Sequence, residues 1–173
     1  MAVSERLHLI IESKPWGEIK GLKKRLEQAT ALTLAVLPER LLPAASRAQL
    51  TLLLTTAHAV QVLNRDYRGV DKPTNVLSFP QLERRALLKE QAGQDPLYVG
   101  DIAVAYQVVL KEAKAEGKLP LDHLTHLLIH GILHLFGYDH DTPRRAQLME
   151  KIEREVMATL GLLDPYAAMD DDD

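Results

Sequence analysis

Residues 126–141, HLLIHGILHLFGYDHD, hold four of the chain's seven histidines within an otherwise apolar run. Read as a helix, the stretch carries His130 and His134 on one face, four residues apart, with Cβ atoms roughly 5–6 Å from each other. One small cation can bridge that separation. Three residues after His134, Gly137 is able to take the left-handed conformation that ends a helix, and His140 follows three residues later. The turn brings a third imidazole back toward the first two. Three nitrogens at about 2.0–2.1 Å from one zinc ion leave a fourth position for water, the arrangement of a catalytic rather than a structural site. The flanking Leu133, Leu135 and Phe136 predict a buried helix, and in that setting the His-x-x-x-His-x-x-Gly-x-x-His string has few uses other than holding a divalent ion. His130, His134 and His140 are therefore the expected ligands of one Zn2+ per chain.

The same string is the ligand frame of the metzincin proteases. Those enzymes carry glutamate directly after the first histidine, as the base that takes a proton from the attacking water, whereas this chain has Gly131. The likeness therefore extends to metal geometry only. The whole run from His130 to His140, HGILHLFGYDH, resembles the HGxLHLxGYDH signature of the YbeY endoribonucleases, bacterial enzymes of ribosomal RNA maturation and ribosome quality control. A second segment, residues 63–80, LNRDYRGVDKPTNVLSFP, resembles the LNxxYRxxDxPTxVLSFP stretch of the same family.

By spacing alone, Arg68 reads as a surface residue at a helix C-terminus. The resemblance instead puts the family's functional arginine there, where a planar guanidinium can grip phosphate through two parallel hydrogen bonds. It also implies the activity: a zinc-dependent single-strand endoribonuclease that hydrolyses phosphodiester bonds in 16S ribosomal RNA 3'-end maturation. Arg68, His130, His134 and His140 would be its catalytic residues. Ribosomal RNA, the small ribosomal subunit and ribosome-associated proteins would be its partners, in the cytoplasm. The metal-bound hydroxide itself, Asp139 beside the third ligand, and His126, one turn before His130, are candidates for the proton acceptor, and the two side chains alternatively play supporting roles. Two other classes stay open: a zinc hydrolase of peptides or small molecules, and a non-catalytic ribosome assembly factor with structural zinc.

Length and composition, 173 residues with 46% hydrophobic, describe one soluble domain able to bury a continuous core. The absence of cysteine removes disulfides and thiolate ligands and fits a reducing compartment. The apolar run near the N-terminus is too short for a signal peptide, and no stretch approaches the ~18 apolar residues of a membrane span. Net charge is −3, yet Asp170–Asp173 alone contribute four negative charges, leaving residues 1–169 at +1. Residues 1–165 are thus expected to form the domain and 166–173 an acidic disordered tail. A nearly neutral body supplies little long-range attraction to phosphate, so charge does not point to RNA.

Working outward, residues 6–12 read as a strand, followed by one helix opened by Ser13 and Pro15 and running to about Leu37. Its Lys20, Lys23, Lys24 and Arg25 form a solvated face or, alternatively, touch phosphate. Residues 38–47 read as a loop, 49–55 as a buried strand, 57–66 as a helix and 76–79 as a strand. A polar excursion with at most a helical turn fills 81–96. The last strand, 98–105, contains Asp101, which needs a partner in an apolar strand: a histidine N–H beside the metal, or a turn. Helices follow over 106–116, from Pro120 through the histidines, and over 143–160. This order predicts a single α+β domain with a four-stranded sheet and about five helices. The resemblance implies that the sheet is mixed and the metal-binding helix central.

Overall fold

The computed structural model of the chain describes residues 5–167; of the expected tail over 166–173, residues 168–173 lie outside the described residues, and Tyr166 packs against His126. Four strands, β1 (Leu7–Ile11), β2 (Ala48–Thr55), β3 (Val76–Pro80) and β4 (Leu97–Ala105), form one sheet in the order β1-β2-β4-β3. β1, β2 and β4 run parallel, and β3 pairs antiparallel with β4 at the edge, so the sheet is mixed. Parallel neighbours need crossover connections, and helices supply them. α1 (Lys14–Gly17), α2 (Leu22–Ala35) and α3 (Leu42–Arg47) separate β1 from β2, and α4 (Ala57–Arg68) leads from β2 to β3. The short α5 (Arg84–Leu87) lies between β3 and β4, after which come α6 (Tyr106–Ala115), α7 (Pro120–Leu135) and α8 (Pro143–Thr159). The domain is α+β, and five of its helices, α2, α4, α6, α7 and α8, have ten residues or more.

β2 shows why one face of the sheet is covered. Along AQLTLLLT the residues Ala48, Leu50, Leu52 and Leu54 alternate into the core and are fully buried, the period-2 pattern of a strand with one packed face. α7 lies over that face. Its sequence is apolar nearly all round, and Leu124, Leu128, Ile129, Ile132, Leu133 and Leu135 are fully buried. It packs on β3 and β4 below and against α2, α6 and α8 beside it, which makes it the central helix of the domain. On the opposite face a smaller cluster of Val60, Leu77, Ala103 and Ala105 seats α4.

Two expectations about the N-terminal third are corrected. The single helix over 13–37 is broken between Gly17 and Leu22, because Trp16 is fully buried and its indole N–H donates to the Thr55 carbonyl at 3.4 Å. That anchor turns the chain before α2 can begin. Residues 38–47 are not a loop but a 3-10 turn, Glu39–Leu41, followed by α3. Pro43 sits in the first turn of α3, where a missing N–H costs nothing, and Leu41, Ala44 and Ala45 are buried. Of the basic residues on α2, Arg25 is committed to an ion pair with Asp122 Oδ1 at 2.9 Å, clipping α2 to the first turn of α7.

Because α7 supports every neighbouring layer, truncating its buried face is expected to be costly. Leu128→Ala should lower the unfolding free energy by roughly 2–5 kcal/mol, the range for removing a large aliphatic side chain from a packed core. Urea unfolding followed by circular dichroism measures it; a loss well under 1 kcal/mol would mean that α7 is not the core element.

Candidate metal centre and active-site cleft

α7 brings the Nε2 atoms of His130 and His134 to 3.0 Å from each other. The helix then closes by paired backbone bonds, Tyr138 N–H to the Leu133 carbonyl and Gly137 N–H to the His134 carbonyl, both at 3.0 Å. Gly137 has φ +75°, and a Cβ there would stand 2.6 Å from the Cβ of Arg84. Glycine meets both demands. Arg84 in turn lies 4.6 Å from the centroid of the buried Tyr138 ring and donates to the Phe136 carbonyl at 2.9 Å, holding the turn down. The chain returns so that the His140 ring sits 5.4 Å from that of His130 and 5.2 Å from that of His134. One ligand atom from each histidine lies within 4.8 Å of the others. The backbone N–H of His140 donates to Asp139 Oδ1 at 2.7 Å, so Asp139 steadies the segment that carries the third imidazole.

The other ring nitrogens decide what these histidines can bind. His134 Nδ1 lies 2.9 Å from the Tyr138 carbonyl, an acceptor only, so Nδ1 carries the proton. His130 Nδ1 lies 2.6 Å from Glu153 Oε1. Burial pushes the Glu153 carboxyl toward the neutral form, but the His126 and His130 imidazoles beside it overcome this and hold the group at about 2, so a carboxylate receives the His130 proton. Burial, then the neighbouring His130, lowers His134 to about 4, which keeps it neutral near pH 7. With its Nδ1 protonated, neutral His134 turns an Nε2 lone pair toward His130 Nε2, 3.0 Å away. A cation can enter between these nitrogens, so the donor set fits a divalent metal ion.

The three histidines form one wall of a cleft of about 600 Å3, and Arg68, Thr74, Asn75, Val76 and Ser78 form the other. α4 runs two residues past its expected end, making Arg68 its last residue before the left-handed cap at Gly69. The Arg68 guanidinium donates to the Ser78 carbonyl at 2.8 Å and lies 5.9 Å over the Phe79 ring. Ser78 also donates its hydroxyl toward the Gly131 carbonyl at 3.4 Å, tying the two walls together. Gly131 is where a metzincin has its glutamate, and a Cβ there would lie 2.9 Å from Ile102 and 3.2 Å from Ser78 Oγ. The position faces the sheet, with no room for a longer side chain.

Asp101 is not the histidine's partner. Strand alternation turns Ile102 toward α7 and Asp101 to the opposite face, where the Tyr98 hydroxyl donates to it at 2.5 Å. The carboxylate behind His130 is Glu153 of α8, fully buried and missed by sequence reading. A signal existed, since Glu153 interrupts the buried stripe Met149, Ile152, Val156 and Met157, and a carboxylate inside an apolar stripe needs donors. His126 faces this carboxylate, its Nε2 3.5 Å from Glu153 Oε2, and does not line the cleft.

A sequence model described as Endoribonuclease YbeY matches residues 17–161. The chain is 52% identical over 124 residues to an Endoribonuclease YbeY of Rhodopseudomonas palustris strain BisB18, covering 71% of each. It is 49% identical over 119 residues to an Endoribonuclease YbeY of Rhodospirillum rubrum, covering 69% of this chain and 58% of that one. The chain belongs to the YbeY endoribonuclease family. A solution structure from Thermotoga maritima, 24% identical, superposes with a TM-score of 0.52 over 89% of this chain and 91% of the other, and shares the fold. Both segments that carry the YbeY resemblance, 63–80 and 130–140, contribute walls of the cleft. Among the described residues of this YbeY-family chain, no helix is long and apolar enough to cross a membrane.

The lowered proton affinity of His134 sets a pH dependence. Its value falls from 6.5 to about 4 on folding, so between those values the unfolded chain binds a proton that the folded chain refuses. Stability from this group is present above pH ~6.5 and is lost as pH falls toward 4. The metal-free protein should therefore melt at a constant temperature above pH 7 and progressively lower from pH 6.5 downward. A melting temperature flat across that window, read by calorimetry, would contradict the neutral, desolvated state of His134.

Proposed function

We propose that this chain is a zinc-dependent endoribonuclease that hydrolyses phosphodiester bonds of single-stranded RNA. Its role would be 16S ribosomal RNA 3'-end maturation and ribosome quality control, in the cytoplasm, with the small ribosomal subunit and ribosome-associated proteins as partners. The observation that carries the reading is the convergence of three imidazoles on one wall with a tethered arginine on the other. The endoribonuclease name of the relatives supports RNA as the substrate.

In this reading the free Nε2 atoms of His130 and His134, with His140, hold the ion. When bound, zinc supplies a Lewis acid that lowers the pKa of water toward ~7. Arg68, steadied by the Ser78 carbonyl, keeps further N–H groups for the non-bridging oxygens of a phosphodiester and neutralises the charge that builds up during attack. Of the two side chains considered as proton acceptor, Asp139 lines the cleft and His126 does not. Asp139 is then the side chain in reach of a proton released in the cleft, with the attacking hydroxide itself as the other acceptor. The sealed position of Gly131 excludes the peptidase arrangement of this ligand frame.

Arg68 separates the RNA enzyme from other hydrolases. Arg68→Glu should abolish cleavage of ribosomal RNA while the zinc content and the fold stay as in the unmodified chain, because Arg68 belongs to a different element from the ligands. Arg68→Lys keeps the charge and loses the two-pronged geometry, so its rate should fall ~10–100-fold, or roughly 1.4–2.8 kcal/mol. Single-turnover cleavage assays measure both. An Arg68→Glu chain that cuts at the unmodified rate would remove Arg68 from the mechanism.

A further inference from the structure

Behind the ligand wall, on the side away from the cleft, residues 164–166 fold back toward the metal centre. After α8 the chain turns and runs beside it, held by Lys118 Nζ donating to the Pro165 carbonyl at 3.3 Å and by Arg154 paired with Asp164 at 3.5 Å. This places the Tyr166 ring edge-on to His126, with centroids 5.4 Å apart, and beneath the Arg154 guanidinium at 5.5 Å. The Tyr166 hydroxyl donates to Glu153 Oε2 and lies 3.3 Å from His126 Nε2.

Glu153 is fully buried, and its two oxygens face in different directions. Oε2 is held by Tyr166, and Oε1 receives the Nδ1 proton of His130 at 2.6 Å. Without the hydroxyl, the one partner that remains for Oε2 among the contacts above is His126 Nε2 at 3.5 Å, too long to fix a carboxylate's rotation. A ligand histidine depends on such an outer partner to hold its tautomer and ring orientation. We infer that Tyr166 is a positioning residue of the metal centre: by holding Glu153 Oε2 it keeps Oε1 on His130 Nδ1–H and so leaves His130 Nε2 free for the ion. The inference rests on the proposed role of His130 as a ligand. It makes metal affinity depend on a residue 26 positions beyond the last ligand, in a segment that touches no substrate wall.

The test uses the full chain, unmodified and as Tyr166→Phe and Glu153→Gln. Zinc affinity is measured by competition with a chromophoric chelator, histidine tautomers by 15N imidazole spectra of the metal-free protein, and melting temperature by calorimetry. The unmodified chain should bind one equivalent of zinc and show His130 protonated on Nδ1. Tyr166→Phe should bind zinc about tenfold more weakly, with an Nε2-protonated signal appearing for His130 and the metal-free melting temperature changed little. Glu153→Gln should lose more affinity than Tyr166→Phe. Equal zinc affinity and an unchanged tautomer in Tyr166→Phe would overturn the inference and leave the metal assignment standing. Weaker binding accompanied only by a large loss of stability, or a variant that does not fold, would overturn it in favour of a purely structural tyrosine. An unmodified chain that binds no zinc would overturn the metal assignment and the inference together.

Discussion

In the centre of the molecule, Nε2 of His130 stands against Nε2 of His134 at 3.0 Å, and this contact constrains much of what surrounds it. Two imidazole nitrogens at that distance inside a largely buried helix need their other ring nitrogens satisfied and a proton or a metal ion between them. The fold supplies the first condition twice over. The helix's own closing turn offers the Tyr138 carbonyl to His134, and α8 lends a buried carboxylate to His130. The cleft supplies access for the second.

Seen from the sheet, the same centre explains the choice of small residues beneath it. α7 can approach β4 as closely as it does because residue 131 has no side chain, and that closeness lets Ser78 reach both the Gly131 carbonyl and, through its own carbonyl, Arg68. One residue thereby couples the depth of the metal helix to the position of the guanidinium. A glutamate at 131 would break that coupling before it could act as a base. The ligand string shared with metzincins is therefore combined here with an opposite wall that presents the positive charge of Arg68.

Much of this was legible in the chain. The histidine spacing and Gly137 located three ligand-type side chains that the structure brings within 4.8 Å, and short apolar runs located the four strands. Readings failed where a local signal was overruled by a distant contact. Trp16, seated against Thr55, breaks a helix whose apolar period runs on unbroken, and the buried alanines of α3 fold a segment whose prolines suggest a loop. Asp101 looked like a partner for histidine because only the strand was visible, not the face it turned toward. Glu153 and Tyr166 lie after the motif, and their meeting with His130 depends on how α8 docks, which spacing cannot express.

The account's central claim is that the three-histidine centre and Arg68 together cut RNA. The most direct measurement incubates the purified chain, with zinc content determined, with structured ribosomal RNA in the presence and absence of a chelator and maps every new end. The account predicts internal cleavage that accompanies one bound metal per chain, disappears on chelation and returns when zinc is restored. Cleavage indifferent to chelation, or intact RNA beside a chain that holds its full equivalent of zinc, would contradict it.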